Sequence, residues 1–325
     1  MKTPDEIQDL CQAFLRGLNS ALGEKLYGVY LYGAMAFPEG GSTGDIDFHV
    51  ILKEKLSDRE KSELNDLHAT LARDFPPLGA AFMFSVGLDF QSDLEQRAPS
   101  PRLRQEFEKH KITLSANGST VTKVKDGQWQ IDDSDNNSSY IVIKEGETLS
   151  IYGEALDGYY ILLEEARQTS PPRHLLLADV TDNSWALHRE HIRAGRCIVL
   201  QGPDPRQVYP AASWPELASA LQGELDYVEN HLDDYPHYCV LNLCRLMYSY
   251  DTRDVVVSKR ASAEWAHVAF PEWRTLVEAA RKSYDRQATI QDKELLKSEV
   301  SGFFDFACEH IRESKSKRRL SRYGN

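Results

Sequence analysis

The sequence predicts an α+β protein in which an N-terminal sheet domain, interrupted by a small antiparallel β module, precedes a C-terminal helical bundle. Three observations support this fold class. Apolar strands and amphipathic helices alternate before residue 80, short β-branched segments separated by turn residues follow, and helical periodicity dominates the rest of the chain. We place the N-terminal domain at 1–180, the inserted module at about 85–152 and the bundle at 181–325.

The first domain opens with a helix and two strands. Apolar residues recur at helical spacing over 5–22, and the run LYGVYLYG at 26–33 is typical of a buried strand. A loop rich in Gly, Ser and Thr leads to a second strand, DIDFHVIL, at 45–52. Ser57 with Glu60 three residues later predicts a capped helix after this strand. Strand, loop, strand and helix indicate the start of an open sheet domain.

The inserted module is indicated by a change in composition. Short β-branched segments are separated by turn sequences at Asp126-Gly127, at 135–137 and at Glu145-Gly146. After them, EALDGYYILL predicts a further strand of the first domain, with Asp157 near its start. The module therefore interrupts the first domain before its third strand.

The bundle is predicted from five amphipathic segments that follow a helix over SWALHREHIRAG and a short strand over RCIVLQ. These segments are WPELASALQGELDYVENHL, HYCVLNLCRLMYSYDT, ASAEWAHVAF, PEWRTLVEAARKSYDRQ and KELLKSEVSGFFDFACEHIRESK.

The composition of the chain limits the kinds of molecule that the protein is expected to bind. The chain has 325 residues and a net charge of −12, from 50 acidic and 38 basic side chains. Because an acidic surface repels nucleic-acid phosphates, we expect no general nucleic-acid binding and favour an amine-bearing small molecule. No apolar run is long enough for a membrane span, and the five scattered cysteines are typical of reduced thiols. We expect a cytoplasmic protein that is a monomer or a small homo-oligomer.

The chemistry is indicated by two carboxylates on one strand. Asp45 and Asp47 lie two residues apart and therefore share one face of the strand. Paired carboxylates suit Mg²⁺, which prefers oxygen ligands. Upstream, the backbone at Gly33-Ala34 follows a buried strand and can approach a phosphate chain. The combination predicts Mg²⁺-dependent binding of a nucleoside triphosphate.

The segment YLYGAMAFPEGGSTGDIDFHV resembles the nucleotidyltransferase superfamily, whose polymerase-β-like domain has a Gly turn followed by a two-carboxylate strand. Downstream, RAGRCIVLQGPDPRQVYP and NLCRLMYSYDTRDVVVSKRASAEWA resemble the C-terminal domain of the streptomycin/spectinomycin adenylyltransferases. That resemblance implies transfer of AMP from ATP to a hydroxyl of an aminoglycoside-like acceptor, with Mg²⁺ as cofactor, and hence antibiotic resistance. It also implies that Arg245 and Lys259 contact the ATP phosphates.

The resemblance leaves three roles open. For the general base, Asp157 is favoured, with Glu154 and Asp89 as alternatives. The turn has Ala34 where many relatives have Ser, so either Ser42 or Thr43 supplies a hydroxyl to the phosphates or no side chain does. The acceptor site would use acidic residues before the Arg-bearing helix, and Asp233 and Asp234 are the nearest candidates.

The two histidines at 188 and 191 are three apart on a predicted helix. No third ligand has matching spacing, so the sequence favours polar roles on the surface or in a cleft over metal binding. Two alternative functions remain: a nucleotidyltransferase that modifies a protein partner, and a non-catalytic regulatory module on the same scaffold.

Overall fold

The computed structural model describes residues 7–38, 46–75, 82–85, 91–109, 112–134, 138–152, 156–177, 180–285 and 287–323. Within these ranges the predicted α+β fold is confirmed. Two sheets and a set of C-terminal helices make up the protein.

The N-terminal sheet has four strands in the order β8-β2-β1-β9. They span β1 Leu26–Tyr32, β2 Ile46–Leu52, β8 Leu156–Leu162 and β9 Ile198–Gln201. β1 runs antiparallel to both β2 and β9, whereas β8 runs parallel to β2. Because β9 lies beyond residue 180, the sheet extends past the domain boundary that the sequence suggested.

Helices cover both faces of this sheet. On one face, α1 (Gln8–Leu22) and α2 (Asp58–Asp74) pack together, and Phe14 of α1 meets Phe48 of β2 edge to face with ring centroids 5.2 Å apart. The predicted capping box of α2 is confirmed, since Ser57 Oγ accepts from the Glu60 backbone N–H while the Ser57 N–H donates to the Glu60 carboxylate. The other face carries α5 (Leu163–Ala166) and α6 (Trp185–Arg193).

The inserted module is a second sheet with short helices. Its strands, in the order β3-β7-β6-β5-β4, are antiparallel and follow one another as hairpins from β4 onward. They span β3 Phe82–Ser85, β4 Ser119–Lys125, β5 Gln128–Asp133, β6 Ser138–Glu145 and β7 Thr148–Tyr152, with α3 at Gln91–Leu94 and α4 at Pro101–Lys109. Two predicted turns join the hairpins, with Gly127 and Gly146 at positive φ. The module has its own core, which includes Phe107, Trp129 and Ile151.

Five helices form the C-terminal bundle, as predicted: α7 Trp214–Asn230, α8 Pro236–Thr252, α9 Lys259–Ala269, α10 Arg274–Tyr284 and α11 Ile290–Tyr323. The central helix is α8, which packs against α7, α9, α10 and α11. Among the described helices, none combines the length and apolar character that crossing a bilayer would require.

Candidate active site

A cavity of about 500 Å³ lies between the N-terminal sheet and the helical bundle, and we refer to it as the cleft cavity. This volume is in the usual range for a small-molecule site. The sheet contributes the ends of three strands, and four helices of the bundle, α7 to α10, contribute described lining residues. The lining residues used below are Tyr32, Gly33, Ala34, Asp47, Asp157, Ser184, His188, His191, Glu224, Tyr238, Arg245, Ser258, Lys259 and Arg260.

Gly33 brings the backbone next to a carboxylate. It follows β1 with φ +83°, a conformation that side chains disfavour, and a Cβ on it would lie 1.7 Å from Asp47 Oδ2. A 3₁₀ turn at Ala34–Ala36 begins immediately after it. A residue with a side chain at position 33 would therefore displace the Asp47 carboxylate or deform the turn.

Asp47 and Asp157 are direct register partners on the parallel strands β2 and β8. Residues that are paired across neighbouring strands project from the same face, so the two carboxylates lie side by side. Asp47 is half-buried and Asp157 is exposed. Burial raises the pKa of Tyr32, the partner of Asp47 in β1, well above its usual value, and the charges of Asp47, Asp182 and Asp157 raise it further. The phenol therefore stays protonated beside a negatively charged strand edge.

Five of the candidates fall outside the described residues: Asp45, Ser42, Thr43, Glu154 and Asp89. β2 begins at Ile46, directly after Asp45. The acceptor candidates Asp233 and Asp234 lie in the turn between α7 and α8, and neither is among the described residues that line the cleft cavity.

The bundle contributes cationic side chains. Arg245 on α8 donates to Asn242 Oδ1 at 3.4 Å, and Lys259, the first residue of α9, has its Nζ 4.3 Å from the centre of the Tyr238 ring. Ser258 caps α9 by accepting from the Ala261 N–H at 3.0 Å. A helix N-terminus carries partial positive charge, so this end of α9 adds to the two cations facing the cavity.

Two further charged residues of the bundle line the cavity and were missed from the sequence. Arg260 follows Lys259 and pairs with Asp285 at 2.5 Å. Glu224 on α7 accepts a hydrogen bond from Ser184 Oγ at 2.6 Å. Both lie on helix faces that the apolar periodicity left as solvent-facing, and only the position of the bundle against the sheet brings them into the cleft.

A buried network of His49, Asp182 and His188 lies behind the strand ends. His188 Nδ1 is 2.8 Å from Asp182 Oδ2 and 3.3 Å from Tyr32 Oη, while His49 Nε2 is 3.8 Å from Asp182 Oδ2. Burial acts to lower the pKa of His188, but the negative charge and hydrogen bond of Asp182 outweigh it, so the net shift is upward. Burial lowers the pKa of His49 to about 3.

Sequence spacing suggested no metal-binding partner for His188, but the fold supplies two. The ligand atoms of His49, Asp182 and His188 all lie within 4.8 Å of one another, a set that could hold a metal ion. His191 instead contacts the Val255 carbonyl through Nε2 at 2.7 Å. His49 and Asp182 come from distant parts of the chain, so no local spacing pattern could have revealed the group.

Comparisons with known proteins address the bundle and the fold separately. Residues 207–310 match the family model described as aminoglycoside adenylyltransferase, C-terminal domain. This segment is therefore similar to the C-terminal domain of the aminoglycoside adenylyltransferases. No curated protein sequence gives a significant match.

The whole chain is similar in fold to spectinomycin adenyltransferase AAD(9) from Enterococcus faecialis, solved with ATP and spectinomycin. The TM-score is 0.57 at 13% identity, over 94% of this chain and 98% of that one. The two findings support the family resemblance seen in the sequence and indicate a nucleotidyltransferase.

The segment that matches the family model contains the bundle's side of the cleft cavity. Glu224, Arg245, Lys259 and Arg260 all fall within the matched range. The opposite wall, with Gly33, Asp47 and Asp157, comes from the N-terminal sheet. The sheet side thus supplies the carboxylates of Asp47 and Asp157, and the bundle side supplies three cations besides Glu224, an arrangement that suits a metal-bound polyphosphate.

Proposed function

We propose that the protein transfers AMP from ATP to a hydroxyl of an aminoglycoside-like small molecule and releases pyrophosphate, with Mg²⁺ as cofactor. The observation that carries this proposal is the composition of the cleft cavity. Asp47 and Asp157 stand on paired strands across from Arg245 and Lys259. Both family resemblance and charge arrangement favour the same reaction.

Arg245 and Lys259 bind the triphosphate. Their positive charges offset the phosphate oxygens, and the N-terminus of α9 adds backbone N–H groups near Lys259. The positive charge at this end of the cavity also stabilises the pyrophosphate as it leaves. Gly33 admits the phosphates close to the backbone because it has no side chain.

The residues present fit Mg²⁺. Asp47 offers carboxylate oxygens, and because Gly33 has no side chain, Oδ2 can lie close against the backbone of the Gly33 turn. Asp45, two residues before Asp47 in the sequence, would complete the set. When bound, Mg²⁺ neutralises phosphate charge and makes the α-phosphorus more electrophilic.

Asp157 acts as the general base. It removes the proton of the acceptor hydroxyl as that oxygen forms a bond to the α-phosphorus. The bond between this phosphorus and the oxygen bridging to the β-phosphorus breaks, and the electron pair leaves with pyrophosphate. A positioned base of this kind contributes about 10²–10⁴ in rate.

The test is mass spectrometry of products after incubation with ATP, Mg²⁺ and a panel of aminoglycosides that includes spectinomycin and streptomycin. We expect an adduct of one AMP with the wild-type protein and none with Asp47→Asn. Asp66→Asn, on the exposed face of α2, is the control that keeps activity. Equal turnover by the Asp47→Asn variant and the wild type would refute the site, and an adduct on a protein instead of a drug would favour the protein-modifying alternative.

A further inference from the structure

A second cavity, of about 310 Å³, lies between the inserted module and the N-terminal sheet, and we refer to it as the module cavity. β5 of the module forms one wall, α2 and the 174–177 segment form others, and the start of β8 forms the base. Its lining residues are Phe48, Asn65, His68, Ala69, Asp132, Asp133, Ser134, Leu156, Asp157, Gly158, Tyr160, His174, Leu176 and Leu177.

Asp157 connects the two cavities. It is the one residue that lines both the cleft cavity and the module cavity among those described. A molecule whose hydroxyl is next to the Asp157 carboxylate can therefore extend away from the nucleotide into the module cavity. The phosphates and the body of an acceptor would then occupy separate spaces on either side of the base.

The described lining of the module cavity is acidic. Three carboxylates line it, from Asp132, Asp133 and Asp157, and its described lining contains no Lys or Arg. Asp133 is buried and fixed, because its carboxylate accepts from the Ser115 N–H at 2.7 Å and from Ser115 Oγ at 2.6 Å. Asp132 is half-buried and accepts from Gln130 Nε2 at 2.7 Å. Carboxylates grouped in a partly closed space favour a cationic occupant.

The two histidines of this cavity add no positive charge near neutral pH. His174 Nδ1 accepts the N–H groups of Leu176 and Leu177 at 3.0 and 3.1 Å, so this nitrogen carries no proton. Burial lowers the pKa of His174 to about 4, and burial together with the neighbouring His174 lowers that of His68 to about 4. The charge of the cavity therefore comes from its carboxylates alone among the described lining residues.

The remaining lining residues suit a hydroxylated ring. Phe48, Leu156 and Leu177 offer apolar surface, while Asn65, Ser134 and the Tyr160–His68 pair, 2.8 Å apart, offer hydrogen-bonding groups. Apolar walls with a few polar groups are usual for small-molecule sites. An amine-bearing, polyhydroxylated ring matches both the charge and the surface.

We propose that the module cavity is the subsite for the amine-bearing part of the acceptor, and that Asp132 of the inserted module determines specificity by pairing with the acceptor's ammonium group. This inference rests on the proposed function, because it takes Asp157 as the base beside the acceptor hydroxyl. It gives the inserted module a role in substrate recognition, and it places acceptor recognition away from Asp233 and Asp234.

The experiment uses calorimetry of the full-length protein with spectinomycin and with streptomycin as probes. Asp132→Asn is expected to weaken binding of the probe by at least about tenfold, the scale of one lost charge-assisted hydrogen bond. The matched control is Asp126→Asn, at the exposed tip of the β4–β5 hairpin of the same module, where the carboxylate pairs only with Lys123 among described residues. The control should bind the probe and ATP as the wild type does.

A second pair of variants tests the sign of the charge. Asn65 lies on the exposed surface of α2, so Asn65→Lys should fold while placing an ammonium in the module cavity. We expect this variant to lose probe binding, and Asn65→Gln to retain it. Thermal unfolding of each variant separates a binding defect from a folding defect.

The outcomes distinguish this inference from the proposed function. Unchanged probe affinity in Asp132→Asn, or no binding of either probe by the wild type, overturns the subsite. If Asp132→Asn keeps the wild-type probe affinity and AMP adducts still form, the proposed function stands without the subsite. If probe binding depends on Asp132 but no AMP transfer occurs, the subsite stands and the reaction assignment fails.

Discussion

Among the individual residues, the site depends most on the absence of a side chain at position 33. Gly33 has φ +83°, and a Cβ there would overlap Asp47 Oδ2 at 1.7 Å. Gly195 provides a natural comparison, because it has φ +80° and no atom lies within 4 Å of the point where its Cβ would stand. The two glycines have similar positive φ values and differ in what surrounds them; Gly33 also has ψ −156°, a conformation that is essentially restricted to Gly.

Gly33→Ala is therefore expected to lose activity in a way that Gly195→Ala does not. Both substitutions should lower the free energy of unfolding by about 1–3 kcal/mol, since each places a Cβ on a residue with positive φ. Only Gly33→Ala also displaces the Asp47 carboxylate, and a shift of this size is expected to reduce kcat/KM by about 10²-fold. Steady-state kinetics and urea denaturation of both variants check the prediction.

An equal loss of activity in the two variants would contradict the prediction, because it would show that backbone strain alone accounts for the defect. A normal kcat/KM in Gly33→Ala would show that Asp47 tolerates displacement and is not part of the reacting site.

Site residues could be predicted from the sequence where their chemistry is local, and not where it depends on distant parts of the chain. Gly33 and Asp47 were identified because strand periodicity and turn residues are visible in short segments, whereas Asp157 was identified through the family resemblance. The fold places all three in one cavity lining. Their roles stay predictions. Glu224 and Arg260 carry no local signal, since a charged residue on a helix surface has the same sequence pattern whether it faces solvent or a cleft.

Among the helices and strands, α9 is the element that presents its N-terminus to the cleft cavity. Ser258 caps this helix through the Ala261 N–H, and Lys259 extends from its first position over the Tyr238 ring. The cap orients both the helix dipole and the lysine toward the proposed phosphate site. Ser57 caps α2 in a similar way, but that helix covers the sheet from the α1 side and its N-terminus does not line the cavity.

Ser258→Ala is expected to weaken nucleotide binding, whereas Ser57→Ala is not. Each variant loses a side-chain cap, so each should be less stable by about 1 kcal/mol. Because the α9 terminus faces the phosphates, Ser258→Ala should also raise the KM for ATP roughly two- to fivefold. Thermal unfolding and ATP-dependent kinetics of the two variants measure both effects.

A rise in KM for ATP in both variants would indicate a general loss of stability, and no rise in either would remove α9 from the nucleotide site.

The individual helices and strands were largely predictable, since capping boxes and apolar stripes are encoded within a turn or two of chain. The pairing of β9 with β1 was not, because strand neighbours across such a separation are selected by tertiary packing.

Across the whole molecule, the protein buries several histidines that the fold keeps neutral. Burial lowers the pKa of His191 to about 3 and that of His68 and His174 to about 4, from an ordinary value near 6.5. His68 and His174 are neighbours at the module cavity, whereas His191 lies where the N-terminal part of the fold meets the bundle. Their combined titration therefore affects global stability and not one site.

The free energy of unfolding should fall as the pH drops from about 7 to 5. In this range the unfolded chain takes up protons at these histidines below about pH 6.5, while the folded protein does not until about pH 4 or 3. The unfolded state thus binds more protons, and stability decreases by at most about 1.4 kcal/mol per pH unit for each histidine once the pH is well below 6.5.

His188 acts in the opposite sense, because its folded pKa is raised by Asp182 and its contribution is present at low pH and lost as the pH rises through that value. As the pH falls, the stability that His188 contributes offsets part of the stability lost through one of the three buried histidines. The pKa of Glu60 is lowered to about 2, chiefly by its hydrogen bond to Lys25, so its contribution is complete above its unfolded value near 4.5 and is lost only below that value. The window from pH 7 to 5 therefore reports on the histidines.

Urea denaturation at steps of about half a pH unit from about pH 7.5 to 5.0 measures how the free energy of unfolding depends on pH. The variant His68→Gln removes one of the histidines that cause this dependence. We expect the free energy of unfolding of the wild type to fall by a few kcal/mol over this range, on the order of 1.4 kcal/mol for each buried histidine. The His68→Gln variant should show a shallower slope, whatever its stability at the upper end of the pH range. The prediction fails if the free energy of unfolding of the wild type does not change with pH, or if His68→Gln has the same pH dependence as the wild type. Either result would mean that these imidazoles take up protons as readily in the folded protein as in the unfolded chain.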